Sequence, residues 1–209
     1  IVYCEKNRFT FPQRTGAVCM ERNAETGLSR KKTYLLAAAA LMTALTCILA
    51  PLSIPIGPVP IALTNLVIYL SLYLLGGKWG TASCLAYLLL GTAGLPVFAG
   101  FTGGLGILMG NTGGYLAGFI PMAVIAGWAI DHSARKGVQL LGMLAGTAVC
   151  YALGTAWFCF VGNTHPLAAL GACVIPFIPF DLGKMVLAMA VGSLIRRQLD
   201  KAGLSPAQN

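Results

Sequence analysis

Charged side chains are scarce in this chain. Asp, Glu, Lys and Arg make up 10% of its 209 residues and hydrophobic residues 57%, whereas soluble domains carry about 25% charged residues. With a mean hydropathy of +0.78, these values exclude an ordinary soluble domain and indicate an integral membrane protein. A net charge of +8 would suggest a nucleic-acid partner in a soluble protein. Here the basic residues lie between hydrophobic runs and form no patch, so we expect no nucleic acid.

The chain also lacks the common motifs of metal sites, nucleotide sites and catalytic centres. His132 and His165 have no partner at ligand spacing, and no two cysteines have C-x-x-C spacing. The glycine-rich stretch lacks the lysine of a P-loop, and no nucleophile is paired with a base. We therefore expect no metal, no cofactor, no ATPase motif and no enzymatic activity. The cysteines are interpreted as free thiols that act as small apolar side chains: Cys4, Cys19, Cys47, Cys84, Cys150, Cys159 and Cys173.

What the chain has instead is a series of six apolar segments. They cover approximately residues 34–50, 61–75, 79–95, 113–130, 138–161 and 179–195. Several are only 15–17 residues long, at or below the usual range of about 17–25 residues for a membrane-spanning helix. The sequence therefore predicts an all-α integral membrane protein, a compact bundle of six transmembrane helices within residues 34–198. A short C-terminal tail, residues 199–209, follows it.

Residues 1–33 are polar and charged and are predicted to form an N-terminal tail. Because the chain opens with Ile1, we expect Met20 to be the natural start and residues 1–19 to be upstream sequence outside the fold. The first apolar segment, with basic residues before it, could be a signal peptide. Five more apolar segments follow, however, and Thr46 makes ALTC a poor cleavage box. The first segment is therefore predicted to remain as a helix.

Lysine and arginine are distributed unevenly among the predicted loops. They occur in the loops at 76–78 and 131–137 and in both flanks of the six-helix segment. The loops at 51–60, 91–112 and 162–178 contain neither. Because basic residues are enriched in cytoplasmic loops, both termini are predicted to be cytoplasmic. The three loops without basic residues are then expected on the outer side.

Two unusual loops fall on this predicted outer side. PLSIPIGPVP has four prolines in ten residues and is predicted to be an extended crossing between helices 1 and 2. The stretch from Gly91 to Gly118 contains ten glycines. This loop could fold over a ligand as a lid and donate hydrogen bonds from its exposed N–H groups. Alternatively, Gly106, Gly110, Gly114 and Gly118 recur every four residues and would let helices pack closely. Both interpretations stay open, with packing in the later part and ligand contact in the earlier.

Asp181 and Lys184 stand three positions apart at the entrance to the last helix. A charge at the centre of a membrane helix costs about 2.5–3.5 kcal/mol, and an ion pair at this spacing returns about 0.2–0.5 kcal/mol in water. Mutual neutralisation alone therefore does not explain the pair. If the helix begins near Pro179, Asp181 lies in its first turn and could cap it. Lys184 has the wrong sign for that end of the helix dipole, which favours an external anion or hydrogen-bond acceptor as its partner.

Aromatic and small residues supply further candidates. Tyr87, Phe98 and Trp157 could line a pocket for an amphiphilic ligand, or they could belong to the core or the interfacial belt. Helix 1 has one small-residue face, which serves close contact either within the subunit or with another protein. Spacing alone favours the internal contact. That face consists of Ala37, Ala40 and Ala44.

Four stretches carry a family resemblance: GPVPIALTNL, YLLLGTAGLPVFAGFTGGLGILMGNTGGYLAGF, LGTAWF and PFIPFDLGKMVLA. In them the chain resembles the BioY family, the biotin-binding S components of energy-coupling factor (ECF) transporters. The likeness runs from about residue 34 to residue 197. The glycine-rich block with its LPVF and TGGY elements and the D-x-x-K of the last helix are the specific signatures.

The resemblance implies a multi-pass protein of a prokaryotic plasma membrane that captures biotin from outside and passes it to a transmembrane coupling subunit and two cytoplasmic ATPases. It also implies that the small-residue face of helix 1 contacts the coupling subunit. The cyclic urea of biotin has two N–H donors and one acceptor oxygen. We expect Asp181 to accept from a ureido N–H and Lys184 to donate to the ureido oxygen or to the carboxylate. The other expected contacts are Thr64, Asn65, Tyr87, Phe98, Gly100, Gly103, Asn111 and Trp157.

The chain departs from the family pattern in three places. Residues 62–65 read ALTN where T-L-Q-T is common, Asn111 replaces a common proline, and Phe180 replaces a common glycine. These departures concern details of the pocket. Two other functions stay open: an S component for another small heterocycle, and a stand-alone biotin facilitator or channel. A membrane enzyme is disfavoured because no catalytic constellation is visible.

Overall fold

A computed structural model describes residues 14–54, 61–163 and 165–201. Within them the chain forms seven helices and one two-stranded hairpin. The helices are α1 Arg14–Leu49, α2 Thr64–Thr92, α3 Leu105–Met109, α4 Gly113–His132, α5 Lys136–Gly162, α6 Pro166–Cys173 and α7 Phe177–Lys201. The strands β1 Ser53–Ile54 and β2 Ile61–Ala62 pair antiparallel, with Ser53 opposite Ala62. The predicted all-α class is confirmed; the proline-rich turn at 55–60 lies outside the described residues.

The described residues divide into two compact units, residues 14–34 and residues 35–201. The first unit is helical, whereas the sequence predicted a polar tail up to residue 33. The second unit contains every other element. Its two short helices, α3 and α6, lie in the segments 91–112 and 162–178, which were predicted to be loops.

Helix α2 replaces the predicted helices at 61–75 and 79–95 with one helical run that is broken in the middle. At Gly76 the backbone has φ 77° and ψ 171°, a left-handed conformation that side chains other than hydrogen disfavour. The next residue, Gly77, donates its N–H to the Asp131 carboxylate at the end of α4, at 2.7 Å. The break therefore coincides with the loop predicted at 76–78, and a hydrogen bond to α4 holds it.

Four helices in the described part of the chain are long and apolar enough to cross a membrane. They are Lys32–Leu49, Gly113–His132, Lys136–Gly162 and Phe177–Leu199. The two arms of α2, residues 64–75 and 77–92, are each shorter than the roughly 20 residues that span a bilayer. Helix length thus yields four spans where the sequence predicted six.

The interior of the second unit is built mainly from α2, α4, α5 and α7. Helix α4 packs most extensively against α5, and α2 packs against both α4 and α7. Tyr69, Tyr73 and Met122 are among the largest side chains that are completely enclosed. Many apolar side chains instead point outward, including Leu41 at 70% and Phe160 at 78% exposure. An exterior of this kind suits a lipid environment.

The predicted glycine stripe is divided between two elements. A Cβ on Gly114 would lie 2.3 Å from the Cβ of Trp157, and one on Gly118 would lie 3.0 Å from the Cys150 sulfur. These two glycines therefore permit the close contact of α4 with α5. Gly106, in α3, and Gly110, at its end, have no such tight neighbour. Close packing is confirmed for the later half of the stripe, where it was expected, and ligand contact by the earlier half stays a prediction.

The spacing of small residues favoured an internal contact through the alanine face of α1. In the structure α1 makes its internal contact through a different face. Thr43 hydrogen-bonds to Ser83 of α2 at 3.0 Å, and Ala39 and Met42 pack in a buried cluster with Val67 of α2. The small-residue face is exposed. It consists of Ala37, Ala40 and Ala44.

Candidate ligand-binding site

A buried ion pair lies at the start of α7. Lys184 Nζ is 2.9 Å from Asp181 Oδ1, and the two side chains are 10% and 5% exposed. Lys184 also donates to the Ala62 carbonyl oxygen of β2, at 2.7 Å. A buried pair is stable only when further hydrogen bonds compensate for the loss of water, and this carbonyl provides one of them.

Two more side chains hold the other oxygen of the carboxylate. Asn65 Nδ2, near the start of α2, donates to Asp181 Oδ2 at 3.1 Å. The Tyr151 hydroxyl, from the middle of α5, donates to the same atom at 2.5 Å. Asp181 thus joins α2, α5 and α7. We call Asn65, Tyr151, Asp181 and Lys184 the polar cluster.

The expected position of Asp181 is wrong. Helix α7 begins at Phe177, two residues before the Pro179 start that the sequence suggested, and its first turn contains no acidic residue. Asp181 is consequently one turn inside the helix, and its described hydrogen bonds come from side chains alone. A capping role is excluded, because a cap accepts from the free backbone N–H groups of the first turn.

The polar cluster retains capacity for an external group. A lysine has three N–H donors, and Lys184 uses two of them on the described residues, toward Asp181 and Ala62. Asp181 Oδ1 accepts one hydrogen bond, from Lys184, although a carboxylate oxygen can accept about two. One donor and one acceptor thus remain side by side.

A cavity of about 260 Å³ is found next to this cluster. Tyr87 and Phe98 meet edge to face in its lining, with ring centroids 5.7 Å apart and planes at 83°. Ala62 connects the two features, because it lines the cavity while its carbonyl accepts from Lys184. The cavity is lined by Ala62, Thr64, Tyr87, Phe98, Ala99, Thr102, Ile107, Thr112, Tyr115, Leu116 and Phe119. Aromatic walls beside a paired donor and acceptor suit a compact ring with a polar edge.

Of the residues predicted from the sequence, the structure brings Thr64, Tyr87 and Phe98 together in the cavity. It brings Asn65, Asp181 and Lys184 together in the polar cluster.

Four predicted contacts belong to neither feature. Trp157 donates from Nε1 to the Gly110 carbonyl at 3.0 Å and so fastens the end of α3. A Cβ on Gly103 would lie 2.1 Å from the Leu95 carbonyl oxygen, which makes Gly103 a packing position. Gly100 has φ 71° and is exposed, as is Asn111.

Sequence reasoning missed Tyr151 as a site residue. Its one signal is a phenol in the middle of an apolar helix, where a hydroxyl needs a hydrogen-bond partner. That signal shows that a partner exists but does not identify Asp181. The cavity-lining residues on α3 and α4, such as Ile107 and Phe119, had no signal that separates them from core residues.

Among the described residues, the free thiols are Cys47, Cys84, Cys150 and Cys159. No group of three or more His, Cys, Asp or Glu side chains in the described part could hold a metal ion.

Membrane-length helices, an apolar exterior and a cavity beside a buried ion pair define a multi-pass helical membrane protein with a candidate small-molecule site. A more specific assignment comes from known proteins. The family model described as the BioY family matches residues 20–201. The chain belongs to the BioY family, as its four sequence stretches predicted, and is a multi-pass protein of a prokaryotic membrane.

Relatives and a solved structure match over similar lengths. The biotin transporter BioY of Thermotoga maritima is 41% identical over 162 residues, covering 76% of this chain and 94% of the relative. The probable biotin transporter BioY of Pyrococcus horikoshii is 38% identical over 157 residues, covering 75% and 93%. The crystal structure of an S component for biotin from an ECF-type ABC transporter aligns with a TM-score of 0.74 and 34% identity. It covers 80% of this chain and 93% of that chain.

Proposed function

We propose that this chain is the biotin-binding S component of an ECF-type importer. Relatives named as biotin transporters and the solved S component for biotin support the ligand and the role. The observation that carries the proposal is the buried Asp181–Lys184 pair beside an aromatic cavity. Its free donor and free acceptor complement the edge of a cyclic urea, which offers an N–H group next to a carbonyl oxygen.

In this arrangement the bicyclic ring of biotin occupies the cavity against Tyr87 and Phe98. Asp181 accepts from a ureido N–H, and the third N–H of Lys184 donates to the ureido oxygen or to the valerate carboxylate. Thr64 and Asn65, at the start of α2, lie beside both features and supply further polar contacts. Gly100, Gly103 and Asn111 contribute through their backbone N–H groups, and Trp157 contributes by holding the Gly110 carbonyl at the end of α3.

We further propose a topology of six membrane segments with both termini in the cytoplasm. The two arms of α2 on either side of Gly76 serve as short second and third segments, added to the four longer spans. Basic residues then cluster at the cytoplasmic ends. Cysteine accessibility tests this: the substituted side chain of Lys78→Cys should be labelled only after permeabilisation, and that of Asn111→Cys should be labelled in intact cells. The reverse pattern would contradict the orientation.

Release of biotin into the cell is assigned to partner subunits. The chain has no P-loop motif, so in this proposal it is not an enzyme and ATP is used by two cytoplasmic ATPases, acting through a transmembrane coupling subunit. The exposed face of Ala37, Ala40 and Ala44 is available for that subunit, because small residues let membrane helices approach closely.

Mass spectrometry of the small molecule that copurifies with the protein tests the ligand directly. Biotin should be found, and a titration of ligand-free protein should show saturable binding of one biotin per chain. A thermal-shift panel of other small heterocycles is the control. Tight binding of another heterocycle with no response to biotin would contradict the proposal and favour an S component of different specificity.

Transport in vesicles separates an S component from a stand-alone facilitator. Vesicles that contain only this chain should bind biotin without accumulating it. Accumulation should require the coupling subunit, both ATPases and ATP. Rapid biotin equilibration by the chain alone would contradict the importer role and support a facilitator.

A further inference from the structure

A second cavity lies at the opposite end of the helices from the polar cluster. Its volume is about 370 Å³, within the range of about 300–1,000 Å³ common for small-molecule sites. Its walls come from the end of α4, the α4–α5 connection, the first turn of α5, residues 193–197 of α7 and Tyr73 of α2. Arg196, which lines it, is 15 residues beyond Asp181 on α7, or about 22 Å at 1.5 Å per residue. The two sites are therefore separate.

The cavity is basic. Lys136, Arg196 and Arg197 line it, and Asp131 is the one carboxylate among its described lining side chains. Asp131 already accepts from the Gly77 N–H. Among the side chains that the structure describes, none is an ion-pair or hydrogen-bond partner of the charged groups of these three cations. Three cations around one concave surface, with no partner among the described side chains, attract an anion. We call this cavity the basic pocket.

Hydrogen bonds hold the frame of the basic pocket. Gln139 is buried and donates from Nε2 to the Ser133 carbonyl oxygen at 2.8 Å. Its Oε1 accepts from the Tyr73 hydroxyl at 3.0 Å. One side chain thus ties the α4–α5 connection to the first arm of α2. These hydrogen bonds fix the backbone around this part of the cavity.

The surroundings of the basic pocket are those of a membrane surface. Trp128 is 62% exposed and stacks on His132, a lining residue, with ring centroids 4.8 Å apart. Tryptophan is enriched at the level of lipid headgroups. Leu194, also 62% exposed, precedes the lining residue Arg197 by one turn of α7. Apolar surface beside a cationic hollow fits acyl chains together with a phosphate headgroup.

We propose that the basic pocket binds the phosphate headgroup of an anionic phospholipid. Arg196, Arg197 and Lys136 donate to the phosphate oxygens, while Trp128 and Leu194 contact the acyl chains. Basic pockets between membrane helices commonly bind anionic headgroups in this way. A free phosphate ion shares the charge but would leave the adjacent apolar surface unused.

Native mass spectrometry of the full chain in detergent tests the proposal. The probes are dioleoylphosphatidylglycerol, dioleoylphosphatidylcholine and inorganic phosphate. The wild type should retain phosphatidylglycerol in preference to phosphatidylcholine. The double variant Arg196→Gln/Arg197→Gln should lose about fivefold in affinity for each cation removed, about 25-fold in total. Lys78→Gln/Arg135→Gln is the matched control, because it removes two exposed cations outside the pocket, and it should retain phosphatidylglycerol like the wild type.

Four results would overturn the assignment. Equal retention of both lipids by the wild type would show that no anionic headgroup is selected, and an equal loss in the control variant would show diffuse attraction. Displacement of phosphatidylglycerol by inorganic phosphate at the same concentration would assign the pocket to free phosphate. If the wild type binds neither lipid and the Arg double variant no longer copurifies with the coupling module, the pocket binds an acidic protein partner. If the Arg double variant does not fold, Lys136→Gln should show the single fivefold loss.

Discussion

Tyr151 on α5 donates a hydrogen bond to Asp181 on α7, with 2.5 Å between the hydroxyl and carboxylate oxygens. Tyr151 and Asn65 both donate to Asp181 Oδ2. The other oxygen, Oδ1, accepts from Lys184 and remains available to a ligand. The hydrogen bond from Tyr151 also connects the two helices across the candidate site. Tyr151 is therefore expected to position the carboxylate without contacting the ligand itself.

Substitution of Tyr151 by Phe should weaken biotin binding about tenfold, because a hydrogen bond to a charged group contributes about 1.5–3 kcal/mol. The freed Asp181 oxygen can then turn away from the ligand. Isothermal titration calorimetry of the purified variant measures the change. Tyr73→Phe is the matched control, since Tyr73 is a buried tyrosine that hydrogen-bonds Gln139 outside the site. An equal loss in Tyr73→Phe would mean that the effect reflects general destabilisation.

Lys184→Met should weaken biotin binding by at least about 30-fold, or about 2 kcal/mol, because truncating one member of a buried charge pair leaves the other uncompensated. The apolar stem is kept while the ammonium donor is lost. Asp181→Asn should have a comparable effect, since the amide keeps the shape and loses the charge. Biotin titration of both variants checks this. Wild-type affinity in both would exclude the ion pair from the binding site.

Gly114→Ala should lower the free energy of unfolding by about 1–3 kcal/mol, the usual cost of forcing extra volume into a packed interior. The new methyl group would lie 2.3 Å from Trp157 Cβ and 2.9 Å from the Leu153 carbonyl oxygen. Thermal unfolding in detergent measures the loss. Gly106→Ala is the control, because a methyl there meets nothing within 4 Å. Equal melting temperatures for the two variants would contradict the described α4–α5 contact.

Ala40→Trp should prevent copurification with the coupling subunit and leave the biotin affinity of the isolated chain unchanged. Ala40 is exposed on α1, and a large side chain there blocks close helix approach without entering the core. Ala148→Trp, at another exposed alanine on α5, should assemble normally. Normal assembly of Ala40→Trp would move the coupling interface to another surface.

Much of the fold could be predicted from the sequence because hydropathy and charge are local properties. The apolar segments at 113–130 and 138–161 correspond to α4 and α5 within two residues at each end. The loop expected at 76–78 coincides with the break at Gly76. The helical character of residues 14–33 was missed, because a polar composition does not by itself exclude a helix.

The candidate site was predicted less completely. The unusual charges of Asp181 and Lys184 identified one half of it, and Tyr87 and Phe98 identified part of the other. Tyr151 could not be found from spacing, because its partner is 30 residues away on another helix. Trp157 was expected in the pocket, but its rotation on α5 directs its Nε1 to Gly110.

By itself, then, the sequence determined that the chain lies in a membrane, where most of its apolar segments run, and which two charges are out of place there. These three properties depend on the free-energy cost of placing a charge or an unpaired backbone group in lipid. That cost follows directly from residue type and segment length. The tertiary structure alone decided that Tyr151 holds Asp181, that the Ala62 carbonyl holds Lys184, and that Gly114 meets Trp157. Such pairings depend on helix rotation and crossing, which are set by the packing of side chains across helices and not by any local pattern.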